Sequence, residues 1–147
     1  MTEIATFALG CFWSPDDYFS KLKGVESTRV GYTGGTKKNP TYHDLGDHTE
    51  SVEIKFNPDV IPYKELLEHF WSQHNPGAIS VTQYKSAIFY HNEEQRKKAE
   101  ESKRRQQEKG DVVTEVLPAG VFYEAEEYHQ KYLQKGHLIG KIYKKIC

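Results

Sequence analysis

Cys11 is the residue whose neighbours best suit it to act as a nucleophile. It stands between an apolar run at residues 4–9 and a helix-start signal at residues 14–17. The unpaired amide N–H groups of a helix N-terminus favour a thiolate and lower the pKa of a nearby thiol. The aromatic pair Phe12-Trp13 follows at once and offers an apolar wall for a substrate. The alternative is a buried structural cysteine beside core aromatics, and the local sequence leaves both interpretations open.

The seven histidines of the chain raise the question of a metal site. His69 and His74 are five residues apart, which places them on different faces of a helix. The sequence contains neither Cys-x-x-Cys nor His-Glu-x-x-His, the spacings typical of zinc sites. We therefore expect no metal and no other cofactor.

Short segments spread over nearly the whole chain form an ordered set. They are residues 10–13 (GCFW), 31–35 (GYTGG), 39–42 (NPTY), 48–52 (HTESV), 82–88 (TQYKSAI) and 125–133 (AEEYHQKYL). Each segment is short, but their order and spread together are specific. They resemble the motifs of the peptide methionine sulfoxide reductases of the A type. The resemblance implies an enzyme that reduces methionine S-sulfoxide, free or in proteins, and so repairs oxidised proteins.

The resemblance also implies a role for each matching polar residue. The Cys11 thiolate would attack the sulfoxide sulfur and be left as a sulfenic acid. Glu50 would protonate the departing oxygen, and Tyr42 and Tyr84 would donate hydrogen bonds to it. A carboxyl group beside a thiolate in an apolar pocket has two reasons to stay protonated, desolvation and a nearby like charge. A neutral Glu50 would therefore both supply a proton and leave the ionisation of Cys11 undisturbed.

Phe12 and Trp13 would, by the same resemblance, hold the S-methyl group of the substrate in an apolar slot. Without the family context these residues carry less weight. Glu50 alone is equally consistent with a surface acid at the start of a strand, and Tyr42 with a loop tyrosine that covers part of the core.

Cys147 is the last residue of a segment that also contains Gly136 and Gly140. The resemblance implies that it resolves the sulfenic acid on Cys11 as a disulfide, with loss of water, and that thioredoxin or a similar dithiol resets the enzyme. From Gly136 the chain can extend up to ~36 Å at ~3.3 Å per residue, so reach does not limit this step. One alternative is an accidental terminal cysteine; another, a permanent structural disulfide, fits poorly with the missing signal-peptide pattern.

Three departures from the family pattern concern the surroundings of the site. Pro15 disfavours helical geometry at Ser14, so we expect the first helix to begin after Ser14. The loop at residues 75–81 is shorter than in the family, and Ile79 falls where the family has an aspartate. Lys85 replaces the usual arginine. We expect the chemistry to survive these changes and the binding of peptide substrates to be affected.

The elements that must position these residues follow from the hydrophobic pattern. Predicted strands cover residues 4–9, 25–32, 51–56, 86–90 and 112–117, and predicted helices cover 15–23, 63–74, 93–109 and a short stretch from Tyr123. Residues 33–47 are predicted as loop. This order indicates an α+β fold, a mixed β-sheet in a two-layer sandwich with helices packed on the sheet and a ferredoxin-like core.

Length and composition favour one catalytic domain over residues 1–147, with a flexible tail from about residue 134. The formal net charge of −1 predicts no attraction to nucleic acid or to an anionic membrane. No apolar run approaches the ~20 residues of a membrane span. The N-terminus has no signal-peptide pattern, and two cysteines are too few for a disulfide framework. We expect a cytoplasmic monomer.

Two other functions remain open at this stage. In a thiol peroxidase, Cys11 would be oxidised by a hydroperoxide, although the sequence places no threonine or arginine close to it. In a non-catalytic peptide-binding domain, Phe12, Trp13, Tyr42 and Tyr84 would form an aromatic slot for oxidised peptides.

Overall fold

The structure is a computed structural model, and it describes residues 2–135. The strands are β1 (Glu3–Leu9), β2 (Val25–Thr33), β3 (Thr49–Phe56), β4 (Ser86–Tyr90), β5 (Glu115–Pro118) and β6 (Tyr123–Glu124). The α-helices are α1 (Trp13–Ser20), α2 (Tyr63–Ser72), α3 (Glu93–Gln107) and α4 (Tyr132–Lys135), with 3-10 turns at Thr82–Tyr84 and Glu127–His129. Within this part of the chain, each helix is too short or too polar to cross a lipid bilayer.

The strands form one six-stranded sheet in the order β5-β4-β1-β3-β2-β6. β4 and β5 run parallel, and every other neighbouring pair is antiparallel. The predicted α+β class, with a mixed sheet and helices packed on it, is confirmed. The ferredoxin-like description of the inner strands stays a prediction.

One face of the sheet packs against the helices through an apolar core. Alternate residues of β1 and β3 enter the same cluster of buried side chains, as the period of two in a strand requires. These residues are Ala5, Phe7, Leu9, Val52, Ile54 and Phe56. The ring of Phe7 lies 5.8 Å from that of Phe19 in α1 and 5.0 Å from that of Phe70 in α2. Both helices are therefore fixed on the strand that leads to Cys11.

The sheet must be curled, because a short connection joins its two outermost strands. Five interstrand spacings of about 4.8 Å would separate β5 from β6 by roughly 24 Å in a flat sheet. The chain from Pro118 to Tyr123 has only five Cα–Cα steps, which span at most about 18 Å. Along this connection Phe122 packs so closely on β2 that a Cβ at Gly31 would overlap its ring. The connection thus closes the sheet on the face opposite the main core.

The first helix begins earlier than the sequence predicts. It starts at Trp13, and its first backbone hydrogen bond runs from Asp16 N to Phe12 O at 3.1 Å. Pro15 is the third helical residue, where a missing N–H is tolerated because the first-turn amides have no intrahelical acceptor. The expectation of a start after Ser14 was therefore wrong.

The C-terminal part of the described chain also differs from the prediction. Residues 112–114 are not in a strand, and the amide of Val113 donates instead to the carbonyl of Pro76 at 2.7 Å. Tyr123 and Glu124 pair with Tyr32 and Gly31 as β6 rather than starting a helix. Residues 136–147, which hold most of the predicted tail, lie outside the described residues.

Candidate active site

Cys11 lies in the tight connection between β1 and α1. Gly10 before it has a φ of +98°, a left-handed conformation that a side chain disfavours. Cys11 is half-buried and belongs to a disulfide. Phe12, the N-cap residue of α1, follows it directly. Cys147, the other cysteine of the chain, lies outside the described residues.

Glu50 is a buried carboxyl group one residue beyond the start of β3, with 1% of its surface exposed. Its two oxygens accept hydrogen bonds from Phe12 N at 3.2 Å and from Gln83 Nε2 at 2.6 Å. Burial raises the pKa of Glu50 to about 7, against the lowering effect of these two hydrogen bonds. Glu50 therefore lies next to the Cys11–Phe12 peptide and keeps much of its proton at neutral pH.

Tyr42 and Tyr84 meet beside this carboxyl group. Tyr84 ends the 3-10 turn that also carries Gln83. Burial, the hydrogen bond with Tyr42 and the charge of Glu50 together raise the pKa of Tyr84. Its hydroxyl group therefore stays protonated at neutral pH. The structure thus brings together three of the residues singled out in the sequence, from three separate segments.

Tyr42 is on the long loop between β2 and β3, which the buried His48 and the half-buried Glu126 hold in place. His48 Nε2 lies 2.6 Å from the carbonyl of Lys37, inside the loop. Glu126 accepts from the backbone amide of Tyr42 at 3.0 Å and from the Tyr32 hydroxyl group at 2.8 Å. Burial alone would raise the pKa of Glu126. The hydrogen bonds that it accepts outweigh this effect and hold its pKa below the ordinary value, so the carboxylate is charged. The loop is long but anchored where it carries Tyr42.

Phe12 and Trp13 differ in exposure. Phe12 is 1% exposed, and its ring lies 5.2 Å from that of His129. Trp13 is half-buried, and its indole is stacked on Tyr132 with ring centroids 3.9 Å apart. A cavity of about 150 Å³ opens beside Cys11 and is lined by Trp13 and Leu133, among others. Trp13 therefore forms the accessible part of an apolar wall, and Phe12 lies behind it.

His129 holds the Trp13 indole in place, a role that sequence reasoning missed. Trp13 Nε1 donates to His129 Nδ1 at 3.0 Å, so a neutral His129 carries its proton on Nε2. Burial lowers the pKa of His129, and its Nε2 has no hydrogen-bond partner within residues 2–135. The indole that His129 holds is 116 positions away in the chain, so no local pattern could have indicated this contact.

Asp16 pairs with a lysine instead of leaving free negative charge near Cys11. It is fully buried, and its carboxylate accepts from Lys131 Nζ at 2.9 Å and from Lys131 N at 2.8 Å. Thr28 donates to the same carboxylate at 2.6 Å. This pair ties α1 to the segment that carries His129.

Hydrogen bonds to residues of other types hold several of the described histidines in the fold. The hydrogen-bond partners are Tyr18 for His69, Phe70 and Ser86 for His74, Thr6 for His91, and Gly35 and Lys37 for His48. Among residues 2–135, no group of three His, Cys, Asp or Glu side chains is arranged to hold a metal ion.

Comparison with known proteins places this geometry in a family. The sequence profile described as "Peptide methionine sulfoxide reductase" matches residues 3–146. The peptide methionine sulfoxide reductase MsrA of Methanothermobacter thermautotrophicus is 52% identical over 90% of this chain and 87% of its own length. The reduced form of Mxr1 from Saccharomyces cerevisiae superposes with a TM-score of 0.87 at 29% identity, over 92% of this chain and 86% of that one.

A further solved structure shows a relative with a partner. It is Mxr1 from Saccharomyces cerevisiae in complex with Trx2, with a TM-score of 0.69 at 27% identity, over 89% of this chain and 84% of that one. The family match spans nearly the whole chain, and it includes the segments that carry Cys11, Glu50 and Tyr84. The chain belongs to the peptide methionine sulfoxide reductase family.

Proposed function

We propose that this chain reduces methionine S-sulfoxide, free or in proteins, to methionine, with Cys11 as the nucleophile. The observation that carries the proposal is the convergence of Glu50, Tyr42 and Tyr84 beside the Cys11–Phe12 peptide. The family of the chain supports the reaction class, an oxidoreductase that acts on sulfur.

In the first step the Cys11 thiolate attacks the sulfoxide sulfur. Glu50 delivers a proton to the sulfoxide oxygen, and the hydroxyl groups of Tyr42 and Tyr84 donate hydrogen bonds to it. The oxygen ends on Cys11 Sγ, and methionine leaves. The sulfoxide sulfur gains two electrons and the cysteine sulfur loses two, which yields a sulfenic acid. Burial of Glu50 supports this role, because it keeps a carboxyl group protonated near pH 7.

The S-methyl group of the substrate lies against Trp13, with Phe12 behind it. Trp13 supports this assignment because its indole is accessible and fixed by His129 and Tyr132. An immobilised apolar wall binds a methyl group with little loss of side-chain entropy.

Cys147 resolves the intermediate. Its thiolate attacks Cys11 Sγ, a disulfide forms, and the hydroxyl group leaves as water after protonation. A dithiol such as thioredoxin then reduces the disulfide by thiol exchange and becomes oxidised itself. The disulfide at Cys11 supports this step, and the complex of Mxr1 with Trx2 supports thioredoxin as the reductant.

A single-turnover assay without reductant tests these steps together. The enzyme is mixed with separated R and S epimers of a methionine sulfoxide peptide, and methionine and free thiols are counted. We expect one methionine released and two thiols lost per chain, on the S epimer only. Cys147→Ser should still release one methionine and should leave a sulfenic acid on Cys11. Normal turnover by Cys11→Ser would refute the proposal.

The same assay separates this function from the two alternatives. A thiol peroxidase would oxidise Cys11 much faster with hydrogen peroxide than with the sulfoxide. A peptide-binding domain would retain oxidised peptide without releasing methionine. We expect the S-sulfoxide to be the faster oxidant and methionine to be released.

We further propose that residues 1–147 act as one catalytic domain, with a flexible tail from about residue 134, as a monomer in the cytoplasm. The formal net charge of −1 supports a protein that binds neither nucleic acid nor membranes. Sedimentation of the full chain at several concentrations, and fractionation of source cells, test the assembly and the location.

A further inference from the structure

Three large apolar side chains are exposed close to the candidate active site. Ile79 is 90% exposed, Val81 is 66% exposed and Tyr128 is 52% exposed. Single exposed apolar residues are common on protein surfaces, but a group of them beside a site marks an interaction surface. Whether these three side chains can contact a bound substrate depends on where they lie relative to Tyr42 and Tyr84.

Ile79 and Val81 lead directly into the turn that carries Tyr84. The carbonyl of Val81 accepts from Tyr84 N at 3.0 Å. The turn itself is fixed on β3, because Thr49 Oγ1 donates to the carbonyl of Thr82 at 2.8 Å. Gln83 of the same turn donates to Glu50 at 2.6 Å, so the turn that follows this apolar pair lies beside the proposed proton donor.

The loop of residues 75–81 is also held at its other end. The carbonyl of Pro76 accepts from Val113 N at 2.7 Å, and Ala78 N donates to the carbonyl of Asn75 at 3.1 Å. A loop fixed at both ends presents its exposed apolar side chains in a defined place. Such preorganisation reduces the entropy lost when a ligand binds.

Tyr128 is linked to the two site tyrosines through His129. Its ring centroid is 4.2 Å from that of His129, which is 4.7 Å from that of Tyr42. Because Tyr42 is hydrogen-bonded to Tyr84, the contacts run from Tyr128 through His129 and Tyr42 to Tyr84 and Val81. A continuous series of contacts thus links exposed apolar side chains to the place where the sulfoxide oxygen is proposed to bind.

We propose that Ile79, Val81 and Tyr128 bind the apolar residues that flank an oxidised methionine in a polypeptide, so that this chain favours sulfoxides in apolar sequences. The inference rests on the function proposed above and adds a substrate preference to it. Methionine is itself a core residue, and its oxidation disrupts cores, so its apolar neighbours become exposed with it.

Two capped peptides with a central methionine S-sulfoxide test this preference. One has valine and leucine on both sides of the sulfoxide, and the other has serine and asparagine. Dithiothreitol serves as reductant, so that docking of thioredoxin does not affect the comparison. We expect the wild-type kcat/KM to be about tenfold higher for the apolar peptide, a size consistent with partial burial of two aliphatic side chains.

The matched variants are Ile79→Ser with Val81→Ser, and Val60→Ser as the control. Val60 is 48% exposed and follows the far end of β3, away from Glu50. We expect the double variant to bring the ratio of the two kcat/KM values to within about twofold of one, through KM. The control should keep the wild-type ratio. Ile79→Ser alone, at a side chain too exposed to affect folding, should lower the ratio in the same direction.

Equal kcat/KM values for the two peptides in the wild type, or an unchanged ratio in the double variant, would overturn this inference alone. Absence of turnover with both peptides and with free methionine sulfoxide would instead refute the proposed function. The two failures are therefore distinct.

Discussion

At the scale of single residues, the proton on Glu50 sets the pH range of the proposed reaction. Burial raises the pKa of this carboxyl group to about 7, so its acid form is present below that pH and is lost above it. The single-turnover rate should therefore fall as the pH rises through about 7. Glu50→Gln should lower the rate by about 10²- to 10⁴-fold, the usual contribution of a general acid, and should remove this descent. Stopped-flow measurements of the single-turnover rate over a pH series, with the wild type and with Glu50→Gln, test this prediction. If the rate of Glu50→Gln falls over the same pH range, the fall belongs to another group.

Gln83 affects how strongly Glu50 holds its proton. Its amide donates to Glu50 at 2.6 Å and stabilises the charged carboxylate, which lowers the pKa of Glu50. Gln83→Met removes the donor at nearly the same size, so the pKa should rise further. The descending limb of the pH–rate profile should then move to higher pH. A shift to lower pH would mean that water replaces the amide and solvates Glu50.

His129 is a positioning residue for the substrate wall. It accepts a hydrogen bond from the Trp13 indole and packs against Phe12. His129→Phe keeps a ring and removes the acceptor, so Trp13 should lose its fixed orientation. We expect KM for the sulfoxide to rise several-fold and kcat to change less, since Cys11 and Glu50 are untouched. His91→Phe, on the far side of the sheet, is the control and should leave KM unchanged. A loss of kcat in His129→Phe without a change in KM would contradict a positioning role.

At the scale of elements, the Asp16–Lys131 pair joins α1 to the segment that carries His129. Lys131→Met leaves the carboxylate of Asp16 buried without its ammonium partner, which should lower the free energy of unfolding by roughly 3 kcal/mol. Asp16→Asn with Lys131→Met removes both charges and should recover part of this loss. Urea unfolding of the single and double variants gives the coupling energy. Additive losses would show that the two side chains act independently.

Elements with a local pattern were predictable from the sequence, and those fixed by distant contacts were not. β1, β3, α2 and β4 follow hydrophobic periods that the chain itself displays, and their predicted positions agree with the structure within a few residues. β6 has two residues and owes its existence to pairing with β2, so it leaves no periodic signal. The early start of α1 leaves no clear signal in the sequence, because Pro15 suits the first helical position and a helix also tolerates proline at the third.

In the candidate site, too, some features were predictable from the sequence and others depend on contacts between distant residues. Cys11, Glu50, Tyr42 and Tyr84 lie in motifs that a resemblance can supply, and the structure brings the last three together. The link from His129 to Trp13 joins positions 116 residues apart and depends on the fold alone.

At the scale of the whole molecule, the curled sheet depends on the close approach of residues 119–124 to β2. A Cβ at Gly31 would overlap the Phe122 ring and the Tyr123 backbone, and the backbone contact cannot relax by a rotamer change. Gly31→Ala should therefore lower the free energy of unfolding by about 1–3 kcal/mol, the usual effect of overpacking.

Gly110→Ala is the matched control for this prediction, because a Cβ there meets no atom within 4 Å. It should leave stability unchanged or raise it slightly, since alanine restricts the unfolded chain. Limited proteolysis gives a second measurement: Gly31→Ala should expose residues 119–124 to cleavage, and Gly110→Ala should not. If both variants unfold at the wild-type urea concentration, the contact of Phe122 with β2 does not hold the sheet closed. Because β2 also pairs with β3 beside Glu50, a displaced β6 should slow turnover as well, without moving the pH at which the rate descends.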